Sequence, residues 1–382
     1  MPNMRFAFNT IHRNTWLLTA VWLLVQLGML GAKGITTDME GQVYINVAHY
    51  WLEHGSFEAA KSLFYSVPIC LLALCIKTGM GYIGFVIMQL LVNGLATISL
   101  YRLVRHLSGQ TQTAVIATLL FIVFIPLQIW NTYLYTESLF ISLGIIYSSW
   151  LLRSNMRWAL LPLVLLGLVA LTLTRPSGIL FVVPTFIYLL QKLITGQYAI
   201  AKRWGIVALA TALTVFFVNY LYRTGGGDLD VMKPYIEGHI ICFMPSPQPH
   251  TPLQLTHTGQ PIGDLWYYIL HNPAHFLKLF ALRLWAFVNL ARPYYSTLHN
   301  LALYLTMLPI YLFAIIGFAQ RIKVVGRLYL IALLLVYAVA IALQCDDYHS
   351  RFIMVLFPYI LFFAAEGIVK LMSKLGLKQK AR

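Results

Sequence analysis

The chain has 382 residues, of which 59% are hydrophobic and only 10% charged, with 27 Lys and Arg against 12 Asp and Glu for a net charge of +15. A soluble domain typically carries about 25% charged residues, so this chain lacks the polar side chains to cover a water-facing surface. The basic excess lies at the ends of apolar runs and not in a polar domain, which argues against nucleic acid as a partner.

Apolar runs of roughly 17–22 residues, each long enough to cross a bilayer core, recur from residue 16 to residue 372. No cleaved signal peptide is expected, because Ala32-Lys33-Gly34 is a poor cleavage site for the run that follows Arg5 and Arg13. Two runs, 62–76 and 275–290, decide the threading. Pro68 interrupts the first, while Lys278, Arg283 and Arg292 stud the second, as expected of helices lying in the membrane interface. With neither crossing, spans fall at 15–34, 81–101, 112–130, 136–152, 158–174, 177–191, 204–222, 299–319, 327–344 and 352–371.

This threading satisfies the positive-inside rule. It puts 17 of the 27 basic residues in short cytoplasmic loops or tails and leaves Glu366 as the one acid of 12 not on the outer side. If both ambiguous runs crossed, Arg102, Arg105, Arg153, Arg157, Lys202 and Arg203 would all face outward. The expected fold class is therefore an all-α polytopic membrane protein with about ten transmembrane helices, outer juxtamembrane helices and both termini in the cytoplasm. Three parts follow: a core at 1–222 with a first outer loop at 35–80, a long outer segment at 223–298 with a juxtamembrane helix, and C-terminal spans with a basic tail at 299–382.

The first outer loop carries Asp38 and Glu40 just before an amphipathic helix that ends at Gly55. Either acid suits the positive end of that helix as a cap, and either suits general-base chemistry. Glu137 stands where a span begins, with Thr136 and Ser138 as candidate caps. A carboxylate entering a membrane helix needs a partner or a polar cavity, which makes it a functional candidate. Arg175, in Thr174-Arg175-Pro176-Ser177-Gly178, turns a tight hairpin, and Arg351 opens the last span after Asp346-Asp347-Tyr348-His349-Ser350. Both arginines are placed for phosphate, which a guanidinium grips with two parallel hydrogen bonds. The alternatives are ordinary lipid headgroups, or pairing of Arg351 with Asp346 or Asp347.

The long outer segment is rich in Gly, Pro and His (Gly225-Gly226-Gly227, Pro245-Ser246-Pro247, His250), and a loop of that length is usually functional or lid-like. His239, His250, His257, His271 and His275 show no ligand spacing, so no metal is expected. Trp285, Tyr294 and Tyr295 offer stacking surfaces for a sugar or an isoprenoid. Cys70 and Cys75 share one apolar run, which favours packing, whereas Cys242 and Cys345 fall in outer segments where a disulfide can form. No nucleotide-binding glycine motif is present, so ATP is not used directly.

The arrangement resembles the GT-C-type membrane glycosyltransferases, such as the protein mannosyltransferases and the aminoarabinose transferase of lipid A. Glu40, Tyr44, Ala48 and Gly55 match that group's first outer loop, and Tyr65 with Pro68 matches its outer juxtamembrane helix. Tyr135-Thr136-Glu137-Ser138-Leu139-Phe140 and Thr174-Arg175-Pro176-Ser177-Gly178 are similar to a core span and an outer hairpin of the group. Arg351-Phe352 with Pro358 and Ala364-Ala365-Glu366-Gly367 looks like its closing span. Most members have Asp at the catalytic point, where this chain has Glu40, with Asp38 two residues earlier.

The resemblance implies inverting transfer of a sugar from a polyprenyl-phosphate donor to a glycan, lipid or protein acceptor, on the non-cytoplasmic face of a plasma (inner) membrane. Glu40, Asp38 and Glu137 would be catalytic. Tyr44, Tyr65, Arg175, His349 and Arg351 would bind substrate, with no cofactor. The competing readings are a transporter or flippase of an amphiphilic substrate, and an O-antigen ligase or polymerase.

Overall fold

A computed structural model describes residues 2–194, 199–224, 232–242, 244, 252–319 and 325–376. Gly225-Gly226-Gly227, Pro245-Ser246-Pro247 and His250 lie outside the described residues. The helices are α1 (Pro2–Lys33), α2 (Glu40–His54), α3 (Ser66–Lys77), α4 (Gly81–Ser108), α5 (Thr111–Val123), α6 (Ile125–Gln128), α7 (Glu137–Arg153), α8 (Leu161–Thr174) and α9 (Val182–Leu193), then α10 (Ala199–Thr224), α11 (Lys233–Ile236), α12 (Pro261–His271), α13 (Pro273–Val288), α14 (Thr297–Phe318), α15 (Val325–Leu343), α16 (Arg351–Met354) and α17 (Phe357–Lys374). No strand occurs among the described residues, only isolated bridges.

Among the described residues, five helical segments are long and apolar enough to cross a membrane: Trp16–Lys33, Gly81–Ser108, Pro176–Leu193, Thr297–Phe318 and Val325–Leu343. A sixth arises if α5 and its continuation to Thr132, bent by 63°, count as one broken span. The protein is thus a helical, multi-pass membrane protein. The ten crossings expected from the sequence do not all meet that length and apolarity. The two ambiguous runs become the 12-residue α3 and the 16-residue α13, neither of which qualifies.

The chain divides into two compact units. The first comprises 1–179, 305–327 and 354–382, and the second 180–304 and 328–353.

In the first unit α4 packs against α3, α5 and α7. Gln89, Asn93 and Thr97 recur at every fourth position of α4 and are buried. Each is bonded where lipid would offer no partner: Gln89 Nε2 to the Tyr133 carbonyl at 2.9 Å, Asn93 Oδ1 to Trp22 Nε1 at 2.8 Å and Thr97 Oγ1 to the Asn93 carbonyl at 2.8 Å. The bend after α5 has an identifiable cause. Pro126 cannot donate to the helix ladder, and Gln128 Nε2 serves the Phe121 carbonyl at 2.7 Å. Gln128 Oε1 accepts from Gln26 at 2.8 Å and from Asn131 at 2.9 Å, so the break is held by a buried amide cluster. Elsewhere in this unit α14 and α17 approach closely at Gly317 and Gly367, where an added Cβ would strike the Phe363 and Phe313 carbonyls respectively. Small residues permit such contact between apolar helices. Arg327 and Glu366 form a buried ion pair nearby.

In the second unit α12 packs on α10 and α13. Met232, Tyr235, Tyr268 and Leu279 form its apolar cluster. Cys242 and Cys345 are joined in a disulfide.

Candidate functional site

The first loop is pinned before α2 begins. Thr36 N–H donates to the Thr132 carbonyl at 2.9 Å and Leu134 N–H to the Thr36 carbonyl at 3.0 Å, a parallel bridge that ties this loop to the turn preceding Glu137. The Tyr135 hydroxyl donates to the Asp38 carbonyl at 3.3 Å, and Gly41 lies against the Tyr135 ring. Residues nearly a hundred positions apart are thereby held together.

Helix α2 presents Gly41, Ile45 and Ala48 on one face, at positions i, i+4 and i+7, and buries them. Ile45 and Ala48 join Ile69, Leu72 and Ala73 of α3 in one apolar cluster. Burial of each of the Ile and Leu side chains contributes about 1.5–3 kcal/mol. Gly55 ends the helix in the left-handed conformation (φ 69°), its N–H donating to the Trp51 carbonyl.

The start of α2 differs from the expected caps. Met39 occupies the cap position at φ 47°, and it provides no side-chain hydrogen bond. A non-glycine residue at such an angle is uncommon, and these strained backbones cluster at functional sites. Asp38 is exposed and its carboxylate has no partner among the described residues, whereas Glu40, first in the helix, is half-buried. Neither Thr136 nor Ser138 caps α7. Thr136 makes no capping bond, and Ser138 donates to Asn131 Oδ1 at 2.5 Å.

Glu137 begins α7, fully buried, and accepts from Arg175 Nη1 at 2.5 Å. Arg175 closes α8 with extended backbone, as its position before Pro176 requires. The hairpin tightens at once. Gly178 N–H donates to the Arg175 carbonyl at 2.8 Å, and a Cβ at Gly178 would run into the Leu171 carbonyl.

Tyr44 lies one turn beyond Glu40, and its ring centroid is 5.7 Å from that of Tyr65. Burial pushes the Tyr44 phenol far above its ordinary range. The charges of Glu137 and Glu40 and the Tyr65 ring push the same way, and Arg175 opposes them. Glu40, Tyr44, Tyr65, Glu137 and Arg175 therefore share one electrostatic neighbourhood, built from four chain segments. The geometry sorts their chemistry: Glu137 is engaged by Arg175, while Asp38 and Glu40 lie at the mouth of the helix.

Arg351 and His349 belong to the second unit. The Arg351 guanidinium grips Asp347 with Nε to Oδ1 and Nη2 to Oδ2, both at 2.7 Å, the pairing with a neighbouring acid that its sequence allowed. His349 N–H donates to Asp347 Oδ1 at 3.0 Å. Asp346 is buried and paired with Arg292. Burial pushes its carboxyl up to about 7 against the pull of Arg292. Arg292 also donates to the Ala286 and Asn289 carbonyls at 2.9 and 2.7 Å, closing the end of α13. Arg283 donates to the His239 and Pro234 carbonyls, each at 2.7 Å.

Arg283 and Arg292 were expected to face the interface beside Lys278. Both are buried on backbone carbonyls, and only Lys278 is exposed. Spacing along the chain could not reveal those distant carbonyls. Tyr294 stacks on Tyr348 at 4.2 Å and Tyr295 on His299 at 4.5 Å, whereas Trp285 is exposed.

Tyr135, the anchor of the first loop, was missed as a site residue. Among the described residues no group of three or more His, Cys, Asp and Glu side chains is arranged to hold a metal ion. No protein-family profile matches the chain, and no curated protein matches its sequence.

Proposed function

We propose that the protein is an integral-membrane inverting glycosyltransferase of the GT-C type, which moves a sugar from a polyprenyl-phosphate carrier to a cell-envelope acceptor. The observation that carries this reading is the shared neighbourhood of Glu40, Tyr44, Tyr65, Glu137 and Arg175, assembled from four segments. Acids with one arginine beside a membrane helix suit deprotonation of an acceptor and stabilisation of a departing phosphate.

The site lies on the non-cytoplasmic face of the plasma membrane, and the chain crosses about ten times with both termini inside. In this threading the bent α5–α6 pair, α7, α8, α10 and α17 complete the crossings. The Cys242–Cys345 disulfide supports the outward assignment of its segments, since disulfides persist in oxidising compartments.

Glu40 is the base. It belongs to the field around Tyr44, which Asp38 does not enter. As the acceptor hydroxyl or amine attacks the anomeric carbon, its proton passes to the Glu40 carboxylate. The bond to the carrier phosphate breaks on the opposite face, which inverts the centre. Glu137, held by Arg175, orients the acceptor. The resemblance gives the carrier phosphate to Arg351, whose two-pronged grip on Asp347 is the geometry a phosphate also takes.

The test is transfer of radiolabelled sugar from polyprenyl-phosphate donors to membrane glycans and lipids, at matched expression. Glu40→Gln is expected to lower transfer by about 10²–10⁴-fold, the usual worth of a general base, while donor binding persists. Arg351→Ala is expected to weaken donor binding. Full activity in Glu40→Gln, Asp38→Asn and Arg351→Ala together would overturn the site. Absence of transfer by wild type with every donor would favour a transporter or flippase.

A further inference from the structure

A cavity of about 780 Å³ opens in the first unit among α1, α4, α5 and α7, lined by none of the residues of the proposed transfer site. Arg102, Arg105 and His106 reach it from the last two turns of α4, and Arg153 from the end of α7. Positions three and four apart share a helix face, so Arg102, Arg105 and His106 form one patch. None of the lining residues is acidic. The three arginines and His106 are all exposed, and none makes an ion pair or hydrogen bond with a described residue.

The deeper wall has a different character. Trp22 of α1 faces Gly94 of α4, where the absent side chain leaves room: an added Cβ would meet only the Trp22 ring, at 3.5 Å. Two hydroxyls on this wall are orphaned. Tyr101 is 7% exposed and Thr118 fully buried, and neither hydroxyl has a hydrogen-bond partner among the described residues. A helical threonine ordinarily bonds the carbonyl one turn back, and a buried polar atom left unpaired is costly. Snorkelling arginines alone would explain the cations but neither the cavity nor the orphaned hydroxyls.

We infer that this cavity is a binding site for an anionic glycerophospholipid of the surrounding bilayer. The phosphate headgroup is held by Arg102, Arg105 and Arg153, and an acyl chain lies along Trp22 and Gly94. The hydroxyls of Tyr101 and Thr118 meet the ester oxygens at the junction. Volume, charge and the passage from basic rim to apolar wall all match one amphiphile.

The test uses the full chain in detergent micelles, titrated with phosphatidylglycerol or phosphatidylcholine carrying brominated acyl chains, which quench nearby tryptophan. The readout is the difference between wild type and Trp22→Phe. Phosphatidylglycerol is expected to quench Trp22 at a concentration at least about tenfold below that needed for phosphatidylcholine. Each arginine near an anionic lipid is worth about fivefold, so R102Q/R105Q/R153Q should raise the half-saturating concentration by about 100-fold.

Removing three arginines also alters the topological signal, so Gly94→Leu provides a second variant with every charge kept. It fills the cavity and should abolish the Trp22 quenching. Equal quenching by the two lipids, an unchanged titration of the triple variant, or persistence in Gly94→Leu would overturn the proposal. Displacement of the lipid by millimolar inorganic phosphate would also overturn it, since it would mark a site for free anion.

Discussion

Two buried acid–arginine pairs begin from the same local sequence and are used differently. Arg175 and Arg292 each follow an apolar helix and each precede a proline. Each pairs with a buried carboxylate distant in sequence, Glu137 in one unit and Asp346 in the other. Arg292 spends its remaining fork on the carbonyls that end α13, and its partner Asp346 adjoins the disulfide at Cys345. The Cys242 N–H donates to the Asp346 carbonyl at 2.8 Å, and the Asp346 N–H to the Ile240 carbonyl at 3.0 Å. That pair is a structural clasp. The Arg175–Glu137 pair instead acts on the buried Tyr44 phenol together with one further carboxylate, Glu40 at the head of α2. Arg-Pro after an apolar helix thus predicts a buried cation, and only its surroundings say whether the cation serves folding or chemistry.

The largest expected effect separates the two roles. Glu137→Gln leaves a buried guanidinium without its counter-charge and should lose about 3–5 kcal/mol, whereas Asp346→Asn mimics the protonated carboxyl that burial favours and should lose much less. Replacing both partners with leucine should restore much of the loss in E137L/R175L, because an apolar pair of similar size needs no partner. The R292L/D346L variant should by contrast be unstable, because the Ala286 and Asn289 carbonyls lose their donor. Denaturant or thermal unfolding in detergent measures both. Equal recovery would dissolve the distinction, while loss of transfer in the rescued E137L/R175L would sharpen it.

Next in size is the disulfide. C242S/C345S opens a loop with a sequence separation of 103 and should lose about 2–4 kcal/mol. The same shift should appear when reductant is added to wild type, and reductant should leave the double variant unmoved.

The clasp should also carry a pH signature. The Asp346 carboxyl titrates at about 7 when folded, raised by burial, against about 3.9 unfolded. Between these values the folded state holds the extra proton, so stability is fully present below about pH 4 and falls as pH rises through 7. The loss should be on the order of 2 kcal/mol between pH 5 and 8, and Asp346→Asn should flatten it. A wild-type profile that rises over this range would show that Arg292 outweighs burial.

Periodicity and charge placement carried much of this in the sequence. The amphipathic α2 with its terminal glycine was legible from residue type and position, while the Cys242–Cys345 disulfide and a contact of Arg351 with Asp346 or Asp347 were alternatives the sequence left open. The bend at Phe124 leaves only Pro126 as its trace in the sequence, because an unbroken apolar stretch hides a helix that breaks. Arg283 and Arg292 were assigned to the interface because their carbonyl partners are unrelated to them in spacing. The neighbourhood of Tyr44 depends on the Thr36 bridge to the turn before Glu137, a contact without any periodic trace.

The smallest effect on stability should come where the effect on chemistry divides most sharply. Asp38 is exposed and has no side-chain partner among the described residues, so Asp38→Asn should shift stability by less than about 0.5 kcal/mol. Glu40 begins α2, where a carboxylate favours the positive helix end, and Glu40→Gln should lose about 0.3–1 kcal/mol. If Glu40 is the base, transfer collapses in Glu40→Gln and survives in Asp38→Asn, although both remain folded. The reverse pattern would move the base two residues along the chain, to the far side of strained Met39. Glu40→Asp then locates the carboxylate, since a shortened acid keeps its basicity while retracting by one methylene. Partial transfer in that variant would fix the reaction at the head of α2, where loop anchor and backbone strain meet.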